Sequence, residues 1–308
     1  MKKIAIVIPT YNSAKTITET LDSIKSQIVN TGSEISVYIT DDCSSDNTVE
    51  IAQECWVSNI SIQFIKNQKN LGERDNLNQA INLIKPTGVD WFLILHSDDI
   101  AKANWLEIML DRINCCGDEV GSICSSWDDL MEDGSIKPGE DNIDRKVELI
   151  QGNQLSVQNT LLKGCWWHIS GCAIRLKIFE DVGGFAIDMP QQGDWEWLLR
   201  FLSKGWAVEY IPRTLILYRQ HSASVSSVSY RTHRDIRESL RVFRQYQGFL
   251  STQDYITLHL VKSSYLLRRM LKSLIKVDIQ RFMLAWVVLF ILIVNLLKVV
   301  KSVNKNIP

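Results

Sequence analysis

The most constraining feature of this sequence is an alternation, within its first hundred residues, of unbroken apolar runs and amphipathic helical segments. Residues 4–8 (IAIVI) and 91–95 (WFLIL) contain no polar alternation, which is typical of strands buried on both faces. Ile17, Leu21 and Ile24 recur at helical spacing after the first run. Strands that alternate with helices predict a mostly parallel, Rossmann-like α/β sheet flanked by helices.

Polar clusters follow three of the predicted strands. Residues 9–12 (PTYN), the pair Asp41 and Asp42, and residues 96–99 (HSDD) each come directly after a predicted strand, the second of these being the β-rich run at residues 35–40 (ISVYIT). Ligands of such sheets bind beyond the carboxyl ends of the strands. We therefore expect these clusters to converge on one edge of the sheet.

Asp98 and Asp99 have no evident structural task. Short acidic residues after a strand often cap the next helix, but Asn104 and Glu107 already form a capping box for the helix predicted to begin near Trp105. Adjacent carboxylates repel each other unless a cation offsets their charge. Hard oxygen ligands suit Mg²⁺ or Mn²⁺, so the sequence predicts a divalent-cation site.

Several further motifs share an order along the chain with a known family. The chain resembles the family 2 glycosyltransferases in residues 7–12 (VIPTYN), 41–48 (DDCSSDNT), 70–72 (NLG), 96–99 (HSDD), 183–185 (GGF), 194–200 (DWEWLLR) and 218–221 (YRQH). The resemblance covers residues 1 to about 225. It implies a GT-A fold with a nucleotide-sugar half at 1–100 and an acceptor half at 101–225. It also implies transfer of a sugar from a nucleotide-diphosphate donor with inversion at the anomeric carbon.

The resemblance assigns roles to particular residues of this chain. It implies a nucleotide-sugar pocket formed by Pro9, Tyr11, Asp41, Ser97 and Asp98. Asp98, with Asp99, would hold the cation that bridges the diphosphate, and Asp194 would be the general base. A carboxylate beside a sugar hydroxyl takes its proton during attack and contributes about 10²- to 10⁴-fold to the rate.

Three other polar residues admit two interpretations each. Arg74 is either a ligand of the diphosphate or base, or a surface residue, because residues 73–76 (ERDN) depart from the small-residue run usual in the family. His96 stands where the family commonly has the first Asp of its Asp-x-Asp motif; it binds metal or ribose, or makes a local hydrogen bond. His221 is a further metal or diphosphate ligand, or a structural histidine.

Two adjacent indoles are candidates for the acceptor site. Trp166 and Trp167 would form an aromatic wall against an acceptor sugar, or else belong to the ordinary core.

The C-terminal region, residues 226–308, differs from the rest in charge. Residues 231–308 carry 14 Lys and Arg against 4 Asp and Glu, although the whole chain has a net charge of −1. An apolar helix predicted at 282–300 follows this basic segment, which favours attachment to the cytoplasmic face of an anionic membrane. The alternative is a buried helix docked on the domain. Without exposed aromatics beside the basic residues, nucleic acid is not an expected partner.

The remaining sequence features indicate the cellular compartment of the protein and disfavour several function classes. Seven cysteines without a repeated CxxC spacing indicate reduced thiols and a cytoplasmic protein, and residues 1–12 fit a first strand rather than a signal peptide. The absence of GxGxxG and Walker A motifs disfavours a dehydrogenase and a P-loop NTPase. A nucleotidyltransferase would carry a Gly-rich basic loop after the first strand, and residues 9–12 (PTYN) are not such a loop, so this class is also disfavoured. A non-catalytic glycosyltransferase-like protein that binds nucleotide sugar stays open as an alternative.

Overall fold

A computed structural model describes residues 2–27, 33–56, 60–139, 141 and 145–305 of the chain. The chain divides into two compact units. The first comprises Met1–Ser156 and Cys165–His221, and the second comprises Val157–Gly164 and Ser222–Pro308. The domain boundary near residue 226 stays a prediction. The second unit also includes Val157–Gly164, so it is formed by two separate segments of the chain.

The first unit is built on one sheet. Its described strands are β1 (Lys3–Thr10), β2 (Glu34–Asp41), β3 (Ile62–Lys66), β4 (Trp91–Ile94), β5 (Ile100–Ala101), β6 (Val120–Leu130), β7 (Ile136–Lys137), β8 (Glu148–Ile150), β9 (Ala173–Arg175) and β10 (Ala207–Arg219). Eight of them follow one another in the order β3-β2-β1-β4-β9-β6-β10-β5, while β7 pairs with β6 and β8 pairs with β10.

The described helices alternate with these strands and then continue alone. They are α1 (Ile17–Lys25), α2 (Thr48–Cys55), α3 (Glu73–Ile84), α4 (Trp105–Cys115), α5 (Gln154–Lys163), α6 (Leu176–Val182), α7 (Gly193–Ser203), α8 (Val225–Thr232), α9 (Arg234–Gln245), α10 (Thr252–Ile275) and α11 (Ile279–Lys305).

The sheet is parallel in its first half and mixed beyond it. Strands β3, β2, β1 and β4 run parallel, as the unbroken apolar sequences of β1 and β4 predict. Strand β9 runs antiparallel to both of its neighbours, and β10 is parallel to β6. Every residue of β1 after Lys3 is buried. The mostly parallel α/β class predicted from the sequence is confirmed, with shorter antiparallel pairings at β5, β7, β8 and β9.

The starts of α4 and α3 are set by different features of the backbone. Asn104 precedes α4, but its side chain makes no capping hydrogen bond, so the predicted capping box is wrong. Helix α3 begins at Glu73, directly after Gly72. Gly72 adopts a φ of 86°, a region that favours glycine, and its amide is held by the Asp42 carboxylate at 2.8 Å. Glu73 and Arg74 therefore lie in the first helical turn.

Candidate active site

The loops that follow β1, β2 and β4 meet at the carboxyl edge of the sheet. Strand β1 pairs in parallel with both β2 and β4, so the three strands end side by side. The Ser13 hydroxyl lies 2.7 Å from the Ser97 hydroxyl, and the Asn12 amide donates to the Ser44 hydroxyl at 2.9 Å. These contacts confirm the convergence predicted for the polar residues after the strands.

Asp41 and Asp42 are both buried but have different surroundings. Asp42 accepts hydrogen bonds from the amides of Leu71 and Gly72 at 2.9 and 2.8 Å, so it anchors the loop before α3. Asp41 Oδ2 accepts a bond from the Ser44 amide at 3.0 Å. Its Oδ1 is buried without a hydrogen-bond partner among the described residues. A buried acceptor without a partner costs free energy, so Asp41 is the member of the pair with an acceptor available to a ligand.

Pro9 and Tyr11 lie beside Asp41. Pro9 is buried in β1 opposite Thr40, and the last residue of β1, Thr10, is paired with Asp41. Tyr11 follows directly and is 50% exposed. Its ring is therefore accessible for stacking on a planar ligand.

His96, Asp98 and Asp99 each bring one ligand atom to within 4.8 Å of the others. Asp99 is fully buried; its Oδ1 accepts from the Arg219 amide at 2.9 Å, and its Oδ2 has no hydrogen-bond partner among the described residues. His221 Nε2 lies 3.0 Å from Asp98 Oδ2. Three of the four predicted metal ligands thus form one cluster, which His221 reaches through Asp98.

The charges of this cluster shift the pKa values in different directions. Burial, followed by the negative charge of Asp98, raises the pKa of Asp99 to about 7. Burial also opposes ionisation of Asp98, but the hydrogen bond from His221 and the charges of His96 and His221 hold the Asp98 pKa below its ordinary value. The same bond raises the pKa of His221. Like charges this close do not ionise with equal ease, and a divalent cation would let both carboxylates carry their charge.

The chain before β9 holds His96 in place. The His96 amide donates to the Ser170 hydroxyl at 3.0 Å. The Gly171 amide donates to the Ile94 carbonyl at 2.6 Å, and Gly171 has a φ of 86°. A Cβ atom at this position would collide with the side chain of Ile216. The conformation and the collision both require glycine.

Replacement of Gly171 by alanine is expected to lower the free energy of unfolding by about 2–4 kcal/mol, from overpacking and from the left-handed backbone. Urea unfolding measures the change. Gly134→Ala is the matched control, because Gly134 has a φ of 82° and an added Cβ would meet no atom within 4 Å. It should lose only the backbone part, about 1–2 kcal/mol. Equal losses in the two variants would show that the Ile216 contact plays no part.

Asp194 lies in the first turn of α7, where Arg74 approaches it. Asp194 Oδ1 accepts from the Trp195 amide at 2.8 Å and lies 3.8 Å from Arg74 Nη2. Burial raises the pKa of Asp194, and the Arg74 charge partly opposes that effect. Arg74 is 6% exposed and also donates to the Pro190 carbonyl at 3.4 Å. The interpretation of Arg74 as a surface residue is therefore wrong.

Glu73 is a residue of this region that the sequence reasoning missed. Its Oε1 lies 3.0 Å from Arg74 Nη1 and 3.4 Å from His96 Nε2. Glu73 and Arg74 thereby connect the acidic cluster to Asp194. The sequence carries one indication of the role of Glu73: residues 73–76 (ERDN) depart from the small-residue run usual in the family. That departure does not show which residues Glu73 contacts.

The structure corrects the expectation of an aromatic wall made by Trp166 and Trp167. Trp167 is 1% exposed, donates from Nε1 to the Ser122 hydroxyl at 2.9 Å, and packs 5.3 Å from the ring of Trp197. Trp167 belongs to the core, because its indole N–H has a hydrogen-bond partner and its ring has an aromatic neighbour inside the protein. Trp166 is half-buried and packs edge-on against Tyr210. Of the two indoles, Trp166 alone retains accessible surface.

Sequence comparison relates the chain to known proteins. The model of a family described as Glycosyl transferase family 2 matches residues 5–182. A Haemophilus influenzae protein described as an uncharacterized glycosyltransferase is 22% identical over 263 residues, which cover 84% of this chain and 78% of that protein.

Structural comparison gives the fold. The structure of Staphylococcus aureus TarS 1-349 in complex with UDP-GlcNAc matches with a TM-score of 0.58 at 14% identity, over 92% of this chain and 89% of that one. Mannosyltransferase PcManGT from Pyrobaculum calidifontis, in complex with GDP-Man and Mn²⁺, matches with a TM-score of 0.56 at 16% identity, over 92% and 73%. At these identities the likeness establishes a GT-A-like α/β fold.

Proposed function

This chain belongs to glycosyl transferase family 2, and we propose that it moves one sugar, with inversion, from a nucleotide-diphosphate sugar to a saccharide or lipid-linked acceptor. The observation that carries the proposal is the meeting, at one sheet edge, of Asp41 and the cluster of His96, Asp98 and Asp99. A pocket for a nucleotide and a site for a cation are what a diphosphate donor requires. Assembly of cell-surface polysaccharide is the process that such an enzyme would serve.

The acidic cluster fits a divalent cation, Mn²⁺ or Mg²⁺. Asp99 Oδ2 and His96 Nε2 are buried without hydrogen-bond partners among the described residues, and a cation would satisfy both. Asp98, Asp99 and His96 would hold it, and His221 would orient Asp98. When bound, the cation offsets the charge that develops on the leaving diphosphate.

The proposed pocket and base supply the rest of the reaction. Asp41 Oδ1 would accept a hydrogen bond from the nucleotide, and Tyr11, with Pro9 beside it, would stack on the base ring. Asp194 would accept the proton of the acceptor hydroxyl. Its raised pKa improves a carboxylate as a base near neutral pH. Arg74 would keep that carboxylate oriented across the 3.8 Å that separates them.

A donor screen tests the proposal against its rival, a non-catalytic nucleotide-sugar-binding protein. Release of nucleoside diphosphate is measured by mass spectrometry over a panel of nucleotide sugars with Mn²⁺. Turnover of one donor supports the enzyme. Binding of a donor by calorimetry, with no turnover in the presence of any acceptor in a saccharide and lipid-linked panel, would favour the rival.

The second unit carries the apolar surface on which membrane attachment rests. Ile279–Leu297 of α11 is long and apolar enough to cross a membrane, and 22% of it is buried. Trp286 and Phe290 are 52% and 67% exposed. Lys272 in α10 and Lys276 directly after that helix are exposed and precede this surface in sequence. An apolar face with neighbouring basic residues suits the anionic cytoplasmic face of a membrane.

The double substitution Trp286→Glu and Phe290→Glu is expected to weaken binding to anionic vesicles at least about tenfold, since burial of each apolar side chain contributes about 1.5–3 kcal/mol. Vesicle co-sedimentation measures the change. Ile187→Glu is the control, because it places one charge on an equally exposed apolar residue, 62% exposed, of the first unit. Unchanged vesicle binding by the double variant would remove the membrane proposal and leave the transferase proposal standing.

A further inference from the structure

The backbone of Glu73 is held in place beside the acidic cluster. Glu73 is the first residue of α3, and the two amides before it are held by the Asp42 carboxylate at 2.9 and 2.8 Å. Asp42 is itself buried directly after β2. The start of α3 is therefore tied to the sheet, and the Glu73 side chain projects from a backbone that other contacts have already placed.

The distance between Glu73 and His96 is the one that two ligands of a common cation have. Glu73 Oε1 lies 3.4 Å from His96 Nε2, and this nitrogen has no hydrogen bond to any described residue. Two donor atoms that each bind one ion at about 2.1 Å stand about 3.0–3.4 Å apart in octahedral or tetrahedral geometry. His96 in turn shares a cluster with Asp98 and Asp99, whose ligand atoms lie within 4.8 Å of one another. Glu73 is not in that group, so its carboxylate would join the three by a rotation of the side chain toward them.

A separate observation points to a cation at this place. Asp99 is 0% exposed, and its Oδ2 is a buried carboxylate oxygen without a hydrogen-bond partner among the described residues. Leaving such an oxygen without a donor or ion is costly. A cation beside His96 and Asp98 satisfies it.

The ion pair with Arg74 does not prevent Glu73 from binding metal. An ionised carboxylate offers about four lone-pair sites, so one group accepts a guanidinium and a cation together. Arg74 Nη1 lies 3.0 Å from Glu73 Oε1, while its other terminal nitrogen faces Pro190 and Asp194. A partner held in this way orients a ligating carboxylate.

We propose that the Glu73 carboxylate is a ligand of the divalent cation and supplies the negative charge that His96 lacks. The inference rests on the proposed function, because it takes the cation to lie at Asp98. A site with one imidazole among carboxylates favours Mn²⁺ over Mg²⁺, since imidazole suits transition metals whereas carboxylate and water suit both. Glu73 thus restores an acidic ligand from helix α3, and His96 sets the metal preference.

The test is direct Mn²⁺ binding, followed by electron paramagnetic resonance with Mn²⁺ as the only added ligand. Glu73→Gln is expected to weaken Mn²⁺ binding about tenfold or more, as loss of a ligand or of its close support does. Asp75→Asn is the matched control, because it removes one negative charge from the same first turn of α3. It should weaken Mn²⁺ binding less than Glu73→Gln does, since the Asp75 charge is half-buried and partly screened by salt.

Two further variants separate the possible failures. Glu73→Asp keeps the negative charge on a side chain that is shorter by one methylene group. This variant should bind Mn²⁺ more weakly than the parent and more tightly than Glu73→Gln. If Asp98→Asn loses Mn²⁺ while both Glu73 variants bind it like the parent, the Glu73 inference is overturned and the site at Asp98 stands. If Asp98→Asn also binds Mn²⁺ like the parent, the proposed cation site itself is wrong. Circular dichroism confirms that each variant is folded.

Discussion

Replacement of Asp194 by asparagine is expected to lower kcat by about 10²- to 10⁴-fold, the usual contribution of a general base. Asparagine has the same shape and still accepts the hydrogen bond from the Trp195 amide, so the first turn of α7 should persist. Steady-state assays with the donor found in the screen give kcat, and calorimetry gives donor affinity. The donor should bind as before, because Asp194 acts on the acceptor.

The pH profile of the parent enzyme bears on the same assignment. A base must be deprotonated to act, so kcat/KM should fall as the pH drops through the pKa of Asp194. Since burial raises that pKa above 3.8, the fall should come at a higher pH than an exposed aspartate would give.

The control for Asp194→Asn is Asp188→Asn, which removes an exposed carboxylate upstream of α7 and should leave kcat unchanged. An Asp194→Asn enzyme within tenfold of the parent kcat would rule out the base assignment.

Replacement of Asp98 by alanine is expected to abolish Mn²⁺-dependent turnover. A cation contributes several kcal/mol to stabilisation of the developing charge, and each 1.36 kcal/mol is a factor of ten in rate, so the loss should be about 10³-fold or more. Assays over a range of Mn²⁺ concentrations measure it. His96→Asp should retain turnover, because aspartate restores the carboxylate usual at that place.

The control for Asp98→Ala removes a carboxylate far from the cluster. Glu54 is exposed in α2, and Glu54→Ala should match the parent at every Mn²⁺ concentration. An active Asp98→Ala enzyme with an unchanged metal requirement would place the cation elsewhere. Loss of turnover in the parent itself on chelation, followed by recovery with Mn²⁺, is the accompanying measurement.

Local patterns of apolar and polar residues predicted much of the fold. The run at residues 4–8 is buried throughout, and its strand pairs in parallel with β2 and with the apolar run of β4, as the absence of polar alternation predicts. The position of the polar loops followed from this pairing, because parallel neighbours end at the same edge. The antiparallel strand β9 was not predicted, since three residues are too few to show a period.

The candidate site was predictable in its residue types but not in its pairings. Asp41 and Asp42 are equivalent in sequence, yet the loop before α3 uses Asp42 and leaves Asp41 Oδ1 available. Trp166 and Trp167 are equally aromatic, yet Trp167 is in the core. Nothing local separates the members of either pair, because the loop amides that bind Asp42 and the core side chains that bind Trp167 lie 29 or more residues away.

The sequence by itself determined the α/β class, the family, and the three loops that converge at the sheet edge. Burial periodicity and the parallel pairing of neighbouring strands follow from the order of apolar and polar residues. Only the tertiary structure decided which groups meet there: the side chains of Arg74 and Asp194, the side chains of Glu73 and His96, and the Arg219 amide with the Asp99 carboxylate. Those contacts join segments 23 to 120 residues apart, and their geometry is fixed by packing of whole elements rather than by any local preference.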